Sequence, residues 1–506
     1  FIFAKKMMDK AYADGVVPAE QFARRGTQAA EGVLTSTLFC DMVRALHHTG
    51  GIESVDLGNC YDAVAHPIAS IAMQSFKARA VVVAMSLSVL QTMDFYIKSG
   101  FGQSTSTYGG TKDDPTFGLA QGNGAAPPGF LAVSTLMINA YRKLGHGTNF
   151  VGAWTGDVFF LAAVLFVDDS DLLHMENSLS TTDQAFFDKI QTATFDWGGL
   201  VQATGGYLKP AKCFWYMMAW RWSKGKPTMK KLSELPRTPL LIPQPDGSRA
   251  PIPLKDNNVA EKKLGVWCCP SGDFGVHVEE MKKKGLAWAD NMSNSRCPPR
   301  DVWLGLRHQL YRQMSYGFVA LVHPPHLLEK AFQDVWYKCL PSLKVNRCLR
   351  KEWRMLPLRF QGLGMPNPNL DLLCSKLHLL QRHWKMETVT GKMLDRSYQV
   401  FQAEVGLGGN IFTHSYSDFK GLATMGWWKH LWQLCEFFDV DYRIHARFDI
   451  PLLREDDAAI MDALCEMRIY SAAEWVFLNR VRKFKGVHSV GDLVLCDGRT
   501  IDPAML

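Results

Sequence analysis

A chain of 506 residues is too long for one simple core, so two to four domains or subdomains are expected. Apolar residues make up 47% and charged residues 21%, the values of an ordinary globular protein, and no apolar run approaches the ~18 to 20 residues of a membrane helix. The net charge of +7 is mildly basic, which is compatible with a nucleic-acid partner without establishing one. The twelve cysteines are scattered, with no C-x-x-C pair and no Cys/His cluster of zinc spacing, so reduced and mostly buried thiols are expected. No signal peptide is visible. The expectation is an intracellular protein, nuclear or cytoplasmic, without a membrane partner.

The first 50 residues read as helical. "KKMMDKAYADGVVPAEQFARRG" carries apolar residues at helical spacing until Gly15 and Pro18 break it. "TQAAEGVLTSTLFCDMVRALHHTGG" reads as a long amphipathic helix ending in a glycine pair. "IESVDLGNCYDAVAH" reads as a strand followed by a turn, residues 67 to 100 as helical again, and "YIKSGFGQSTSTYGG" as a hairpin. "GLAQGNGAAPPGFLAVSTLMINAYRKLG" is a Gly/Ala/Pro loop feeding an apolar helix. "WTGDVFFLAAVLFVDDSDLLHM" is two apolar strand segments broken at carboxylates. Residues 177 to 200 read as a helix with Ser178, Ser180 or Thr181 as its cap, and "GGYLKPAKCFWYMMAWRW" as a turn continuing into a strand. Residues 223 to 262 read as a polar loop or hairpin insertion, "KKLGVWCCPSGDFG" as a short strand and turn, and the chain from about 274 onward as mainly helical.

The carboxylates carry the chemistry. Asp168 and Asp169 are adjacent at the end of an apolar run, with Asp171 two residues on, a hairpin-tip arrangement in which like charges repel unless something compensates them. The other adjacent pairs, Asp113-Asp114 and Asp456-Asp457, lack that context and read as solvated loop carboxylates. A second carboxylate strand is supplied by "SVDLGNCYDAVAH", with Asp56 followed by Tyr61, Asp62 and His66. Taken alone, Asp56 reads equally as a helix N-cap or turn residue. Two such strands side by side suit hard, oxygen-seeking cations and can hold two metals about 4 Å apart for an in-line displacement at phosphorus. Between them, Gly118, Gly122 and Gly124 let the backbone approach a ligand closely, and Gln121 offers an amide.

In this order, D-x-x-x-x-Y-D-x-x-x-H at 56 to 66, Gln121-Gly122, and F-V-D-D at 166 to 169 resemble motifs A, B and C of reverse transcriptases. They are most similar to the non-LTR retrotransposon and group II intron branch, and to reverse-transcriptase-like open reading frames of protists and diatoms. "TGGYLKPAKCFWY" resembles motif D and "KKLGVW" motif E, while "PAEQFARRG" resembles the fingers segment that precedes motif A, with Ala23 where many relatives have glycine. Val167 stands where many relatives have alanine.

The resemblance implies an α+β fold: a right-hand polymerase palm, an antiparallel sheet backed by helices, with partial fingers and a mainly helical thumb and C-terminal region. The implied boundaries are fingers 1–50, palm 51–272 with the 223–262 insertion, thumb 273–360 and a C-terminal helical region 361–506. Because the chain opens at Phe1, the basic fingers residues that grip the triphosphate are expected upstream of it.

The implied roles are specific. Asp56, Asp168 and Asp169 bind two Mg²⁺, with Mn²⁺ as an alternative. Tyr61 is the steric gate under the sugar, Gln121 and Gly122 contact the template–nucleotide pair, Lys212 stands near the leaving pyrophosphate and Arg24 touches the template. The implied partners are an RNA template, a DNA or RNA primer and dNTPs.

In "LKVNRCLRKEWRMLPLRF", Arg347, Arg350, Lys351 and Arg354 have helical spacing and are expected to form one basic face for a phosphate backbone; a solvated charged face is the alternative reading. Trp427, Trp428 and Trp432 are expected in the core. Two rivals to the reverse-transcriptase reading are an RNA-dependent RNA polymerase, against which Tyr61 argues, and a non-catalytic polymerase-fold scaffold that binds RNA.

Overall fold

Strand β1 (Thr49–Gly58) runs through the centre of a six-stranded sheet in the computed structural model of the chain. The structure describes residues 2–111, 116–178, 181–384, 386–444, 450, 452, 454–467 and 469–505; Asp113-Asp114 and Ser180 therefore lie outside the described residues. The chain divides into two compact units, one of residues 1–32, 48–149 and 160–256, the other of 33–47, 150–159 and 257–506.

The first unit is mixed α+β. Beside β1 its sheet contains β2 (Ala163–Phe166), β3 (Asp169–Glu176), the short β4 (Tyr207–Leu208), β5 (Phe214–Met218) and β6 (Leu254–Lys255). The order is β6-β5-β1-β3-β2, with β4 also paired to β1, and every pairing is antiparallel except β5 with β6. Alternation along the strands sorts side chains between two faces. Val55, Leu57, Leu172, Trp215 and Met217 point to one face and join a single apolar core. Helices α1 (Ile2–Ala13), α2 (Ala29–Leu46, of which the residues from Val33 belong to the second unit), α3 (His66–Ser75), α4 (Ala80–Gln91), α5 (Ala126–Lys143) and α6 (Asp183–Ala203) come from the segments with helical apolar spacing. Side chains of α3, α5 and α6 fill that core.

Gly51 shows how closely α6 lies on the sheet: a Cβ there would meet Ile190 Cδ1 at 3.0 Å. The cap of α6 is neither Ser178 nor Thr181. Thr182 holds extended backbone (φ −74°, ψ 153°), which aims its hydroxyl to accept the Ala185 N–H. The 223–262 stretch contains hairpin strands at Lys226–Met229, Leu240–Pro243 and Arg249–Ile252, and it sends Leu240, Ile242 and Ile252 into the same core.

In the second unit, strands Glu261–Lys263 and Val266–Cys268 form a hairpin whose turn residues, Leu264 and Gly265, both take positive φ (45° and 89°). The rest is mainly helical: α7 (Gly275–Asn294), α8 (Pro299–Gly305), α9 (Tyr311–Ser315), α10 (Pro325–Cys339), α11 (Lys351–Met355), α12 (Pro368–His383), α13 (Val389–Val405), α14 (Tyr416–Phe419), α15 (Trp427–Phe437), α16 (Ile460–Glu466) and α17 (Ala472–Lys485). Trp427, Trp428 and Trp432 are buried, as their helical spacing on α15 leads one to expect.

The 347–354 segment departs from its sequence reading. Only Lys351 and Arg354 are helical, on the five-residue α11, with Arg350 as its N-cap and Arg347 in the preceding turn. The four residues therefore do not share one helical face. Arg354 is buried with its guanidinium 4.9 Å over the Tyr337 ring, and Lys351 pairs with Glu329. Among the described residues, no helix is long and apolar enough to cross a membrane. All twelve cysteines are free thiols.

Candidate active site

The β2–β3 hairpin brings the carboxylates to a strand end. Phe166 pairs with Asp169 across the hairpin, so Val167 and Asp168 form a two-residue turn. Its first residue takes positive φ (59°), a conformation for which hairpins prefer glycine and which costs a β-branched residue on the order of 1–2 kcal/mol. Strand β3 then runs antiparallel to β1, with Asp56 and Asp169 as register partners. Directly opposed residues share a face, so the Asp56 and Asp169 carboxylates project to the same side. Asp171 joins them there as the residue two positions on from Asp169, and its register partner is Ser54. The Leu57 N–H donates to the Asp168 carbonyl at 3.4 Å, which ties the hairpin tip to β1.

Negative charge is concentrated here. Burial pushes the Asp169 carboxyl up to about 6, and the neighbouring Asp168, Asp171 and Asp56 push in the same direction against Lys212. Lys212 ends the short turn Pro210–Lys212, and its Nζ stands 3.1 Å from Asp56 Oδ2, a contact that raises the lysine pKa. Lys209 N–H donates to the Asp56 carbonyl at 3.0 Å, which holds that turn against β1. Asp56 Oδ2 is buried and has no aligned hydrogen-bond donor beyond this ion pair.

The donor set suits a hard cation: oxygen ligands only and crowded anions, with Lys212 meeting Asp56 Oδ2. Asp56, Asp168 and Asp169 are the candidate donors, although among the described residues no group of three or more acidic, histidine or cysteine side chains is arranged to hold a metal ion. The carboxylates would thus supply part of a coordination shell and leave the rest to other oxygens.

Asp62 and His66, which follow Asp56 in the sequence, have a structural task that sequence reasoning did not assign. They hold the glycine-rich loop. The Gly118 carbonyl lies 2.7 Å from His66 Nε2, the Leu119 N–H donates to the Tyr61 carbonyl at 2.7 Å, and the Gln121 N–H donates to Asp62 Oδ1 at 2.9 Å. Gly118 has φ +81°, and a Cβ there would fall 2.5 Å from the Asp62 backbone, so this close approach requires glycine. Gln121 and Gly122 are exposed on the anchored loop, and Gly122 faces open space.

Tyr61 packs edge-on against Phe130, with ring centroids 5.7 Å apart. Burial raises its pKa, and the charges of Cys60 and Asp168 add to that shift. Tyr61, Arg24, Gln21, Phe130, Phe166 and Val167 are among the walls of one cleft of about 500 Å³. The segment that carries Arg24 is fixed by β-type bonds that no motif announced: Phe22 N–H donates to the Leu165 carbonyl at 2.8 Å, and Leu165 N–H donates to the Glu20 carbonyl at 2.9 Å. Glu20 is buried and paired with Arg142 at 2.7 Å. The signal for this role was a glutamate beside an apolar run, too common to single out.

The structure therefore brings Asp56, Asp168, Asp169 and Lys212 together, places Tyr61 and Arg24 on one cleft, and anchors Gln121 and Gly122 through Asp62. Arg347, Arg350, Lys351 and Arg354 belong to the second unit.

No protein-family model matches the chain. No curated protein matches it either. Among solved structures it is similar to telomerase from Candida albicans, determined in complex with a fragment of telomeric RNA, at 10% identity and a TM-score of 0.31. That match covers 78% of this chain and 57% of the other, so the chain spans little more than half of its neighbour's length. A superposition this loose assigns neither a fold family nor an activity.

Proposed function

We propose that the chain is a nucleotidyltransferase of the polymerase class, and within that class an RNA-directed DNA polymerase of the non-LTR retroelement type. The observation that carries the reading is the pairing of Asp56 with Asp169 across adjacent antiparallel strands, with Asp168 at the hairpin tip beside them. The first unit supplies a palm of antiparallel strands backed by helices. The proposed boundaries are fingers 1–50, palm 51–272, thumb 273–360 and a C-terminal region 361–506.

In this reading Asp56, Asp168 and Asp169 hold two Mg²⁺, with Mn²⁺ able to substitute. Bound there, the metals would activate a primer 3′-hydroxyl and stabilise the leaving pyrophosphate. The remaining work belongs to the chain. Tyr61, braced by Phe130, closes the floor of its cleft against a 2′-hydroxyl. Gln121 and Gly122 present an amide and bare backbone to the template–nucleotide pair from a loop that Asp62 and His66 keep rigid. Lys212, which pairs with Asp56, would stand near the leaving pyrophosphate. Arg24 touches the template. Arg347 and Arg350, both exposed, contact a phosphate backbone, whereas the buried Arg354 braces Tyr337.

Primer extension by the purified chain on an RNA template with a DNA primer, Mg²⁺ and dNTPs tests the reading. Extension abolished by Asp168→Ala supports it, and no extension with either Mg²⁺ or Mn²⁺ refutes it for this chain. The Lys212–Asp56 ion pair favours a second reading, a non-catalytic RNA-binding scaffold whose former metal site is neutralised by lysine. That reading predicts RNA binding unchanged by Mg²⁺ and by Asp168→Ala.

A further inference from the structure

A cleft of about 600 Å³ lies in the helical unit, within the size range of small-molecule sites (roughly 300–1,000 Å³) and built from none of the residues discussed above apart from its border with α11. Arg307, His308, Arg312 and His378 line it. Arg307 lies 6.0 Å over the Trp303 ring, and among the described residues neither Arg307 nor Arg312 has a carboxylate partner. The one acid on the wall, Asp371, already accepts a hydrogen bond from the Tyr311 hydroxyl. The cleft thus presents two arginines and two histidines against one carboxylate, and neither arginine has an ion-pair partner among the described residues.

Two backbone features reinforce this. The helical run from α8 to α9 is interrupted by a π-turn at Leu306–Leu310, the segment that carries Arg307 and His308 into the cleft. Such turns are rare and often mark functional positions. The first turn of the 16-residue α12, capped by Asn367, also lines the cleft and adds the positive end of its dipole. The wall is otherwise mixed: Met355, Leu358, Met365 and Pro366 supply apolar surface beside Ser315, Asn367 and Ser375.

Guanidinium groups on the wall of one cleft suit phosphate, and apolar residues beside them suit a base. We infer that this cleft binds a nucleotide, with the phosphate held by Arg307 and Arg312 and the base against Met365 and Leu358. The site stands independently of any catalysis at the carboxylate cluster.

The test uses the full chain in EDTA, which silences metal-dependent binding elsewhere. Fluorescence anisotropy follows a fluorophore-labelled adenosine monophosphate and, in parallel, a labelled ten-nucleotide single strand. The expected result is saturable binding of the mononucleotide, weakened at least about tenfold by Arg312→Glu and by Arg307→Glu and unchanged by Asp168→Ala. Both arginines are exposed and lack an acidic partner, so both variants are expected to fold, and either one decides the test. Binding of the strand alone with the same pattern of variants supports the site with a nucleotide inside a chain as its ligand. Absence of binding by both probes, affinity indifferent to both arginines, or affinity that follows Asp168 overturns the inference.

Discussion

Asp56 and Asp169 face one another as register partners across β1 and β3, their carboxylates on the same side of the sheet. Strands held in this register keep two anions together that would separate in an unfolded chain. The proposed function predicts that Asp56→Asn or Asp169→Asn lowers primer extension by more than about a hundredfold. Neither change is expected to destabilise the fold. Asp169→Asn in particular removes a carboxyl that burial, helped by its acidic neighbours, pushes up to about 6, so its thermal midpoint in the absence of metal should rise. A midpoint that falls would show that the carboxylates stabilise the sheet instead.

The loop anchored by Asp62 and His66 gives a prediction independent of activity. Gly118→Ala combines a positive φ of 81° with a 2.5 Å approach to the Asp62 backbone. The expected cost is about 2–3 kcal/mol in chemical denaturation. Ala substituted at Gly122, which has open space around it, should cost less, through its φ of 93° alone.

On the same strand as Asp56 but on its opposite face, Glu53 is buried beside Thr194, which donates to it at 2.9 Å, and His174 at 3.9 Å. Burial pushes Glu53 up to about 8 from 4.5, and pushes His174 down to about 3 from 6.5. The folded state keeps the Glu53 proton that the unfolded chain has released, so this residue lowers stability as pH rises from 4.5 to 8. His174 lowers stability as pH falls from 6.5 to 3, because only the unfolded chain takes up its proton there. The slopes oppose each other between 4.5 and 6.5, leaving that of Glu53 alone from 6.5 to 8. Glu53→Gln should flatten the decline in that upper window, by up to about 1.4 kcal/mol per pH unit. Denaturation curves at pH values across it provide the measurement.

Arg347 and Arg354 should separate cleanly. Exposed Arg347→Ala is expected to weaken RNA binding across sequences and reduce the salt-dependence slope by about 1, with stability unchanged. Arg354→Ala is expected to cost about 1–2 kcal/mol of stability through its lost packing on Tyr337. Salt titrations of RNA binding, run beside denaturation curves, check both.

Tyr61→Ala tests the proposed gate. It should raise ribonucleotide incorporation relative to dNTP incorporation by roughly tenfold or more, since the ring is the part of the cleft wall closest in sequence to Asp56. An unchanged ratio would remove Tyr61 from that role.

The amino-acid sequence by itself determined the elements that rest on local periodicity. The strand–turn–strand at 161–175, the apolar helices from 29 and 126, and the buried tryptophans of α15 follow from patterns of period two and 3.6 that only one local geometry can bury. The carboxylate pair was legible because acids are costly at the end of an apolar strand. Tertiary structure alone decided the rest. Helical spacing at 347–354 described a basic face, yet that segment forms only one short turn of helix, and Arg354 gains more by packing on Tyr337 than by facing water. The tasks of Asp62 and His66 depend on a loop more than 50 residues away, and the partner of Lys212 is a strand carboxylate more than 150 residues earlier. Register, which no local pattern encodes, is set by the helices packed behind the sheet, and it is register that makes Asp56 and Asp169 neighbours.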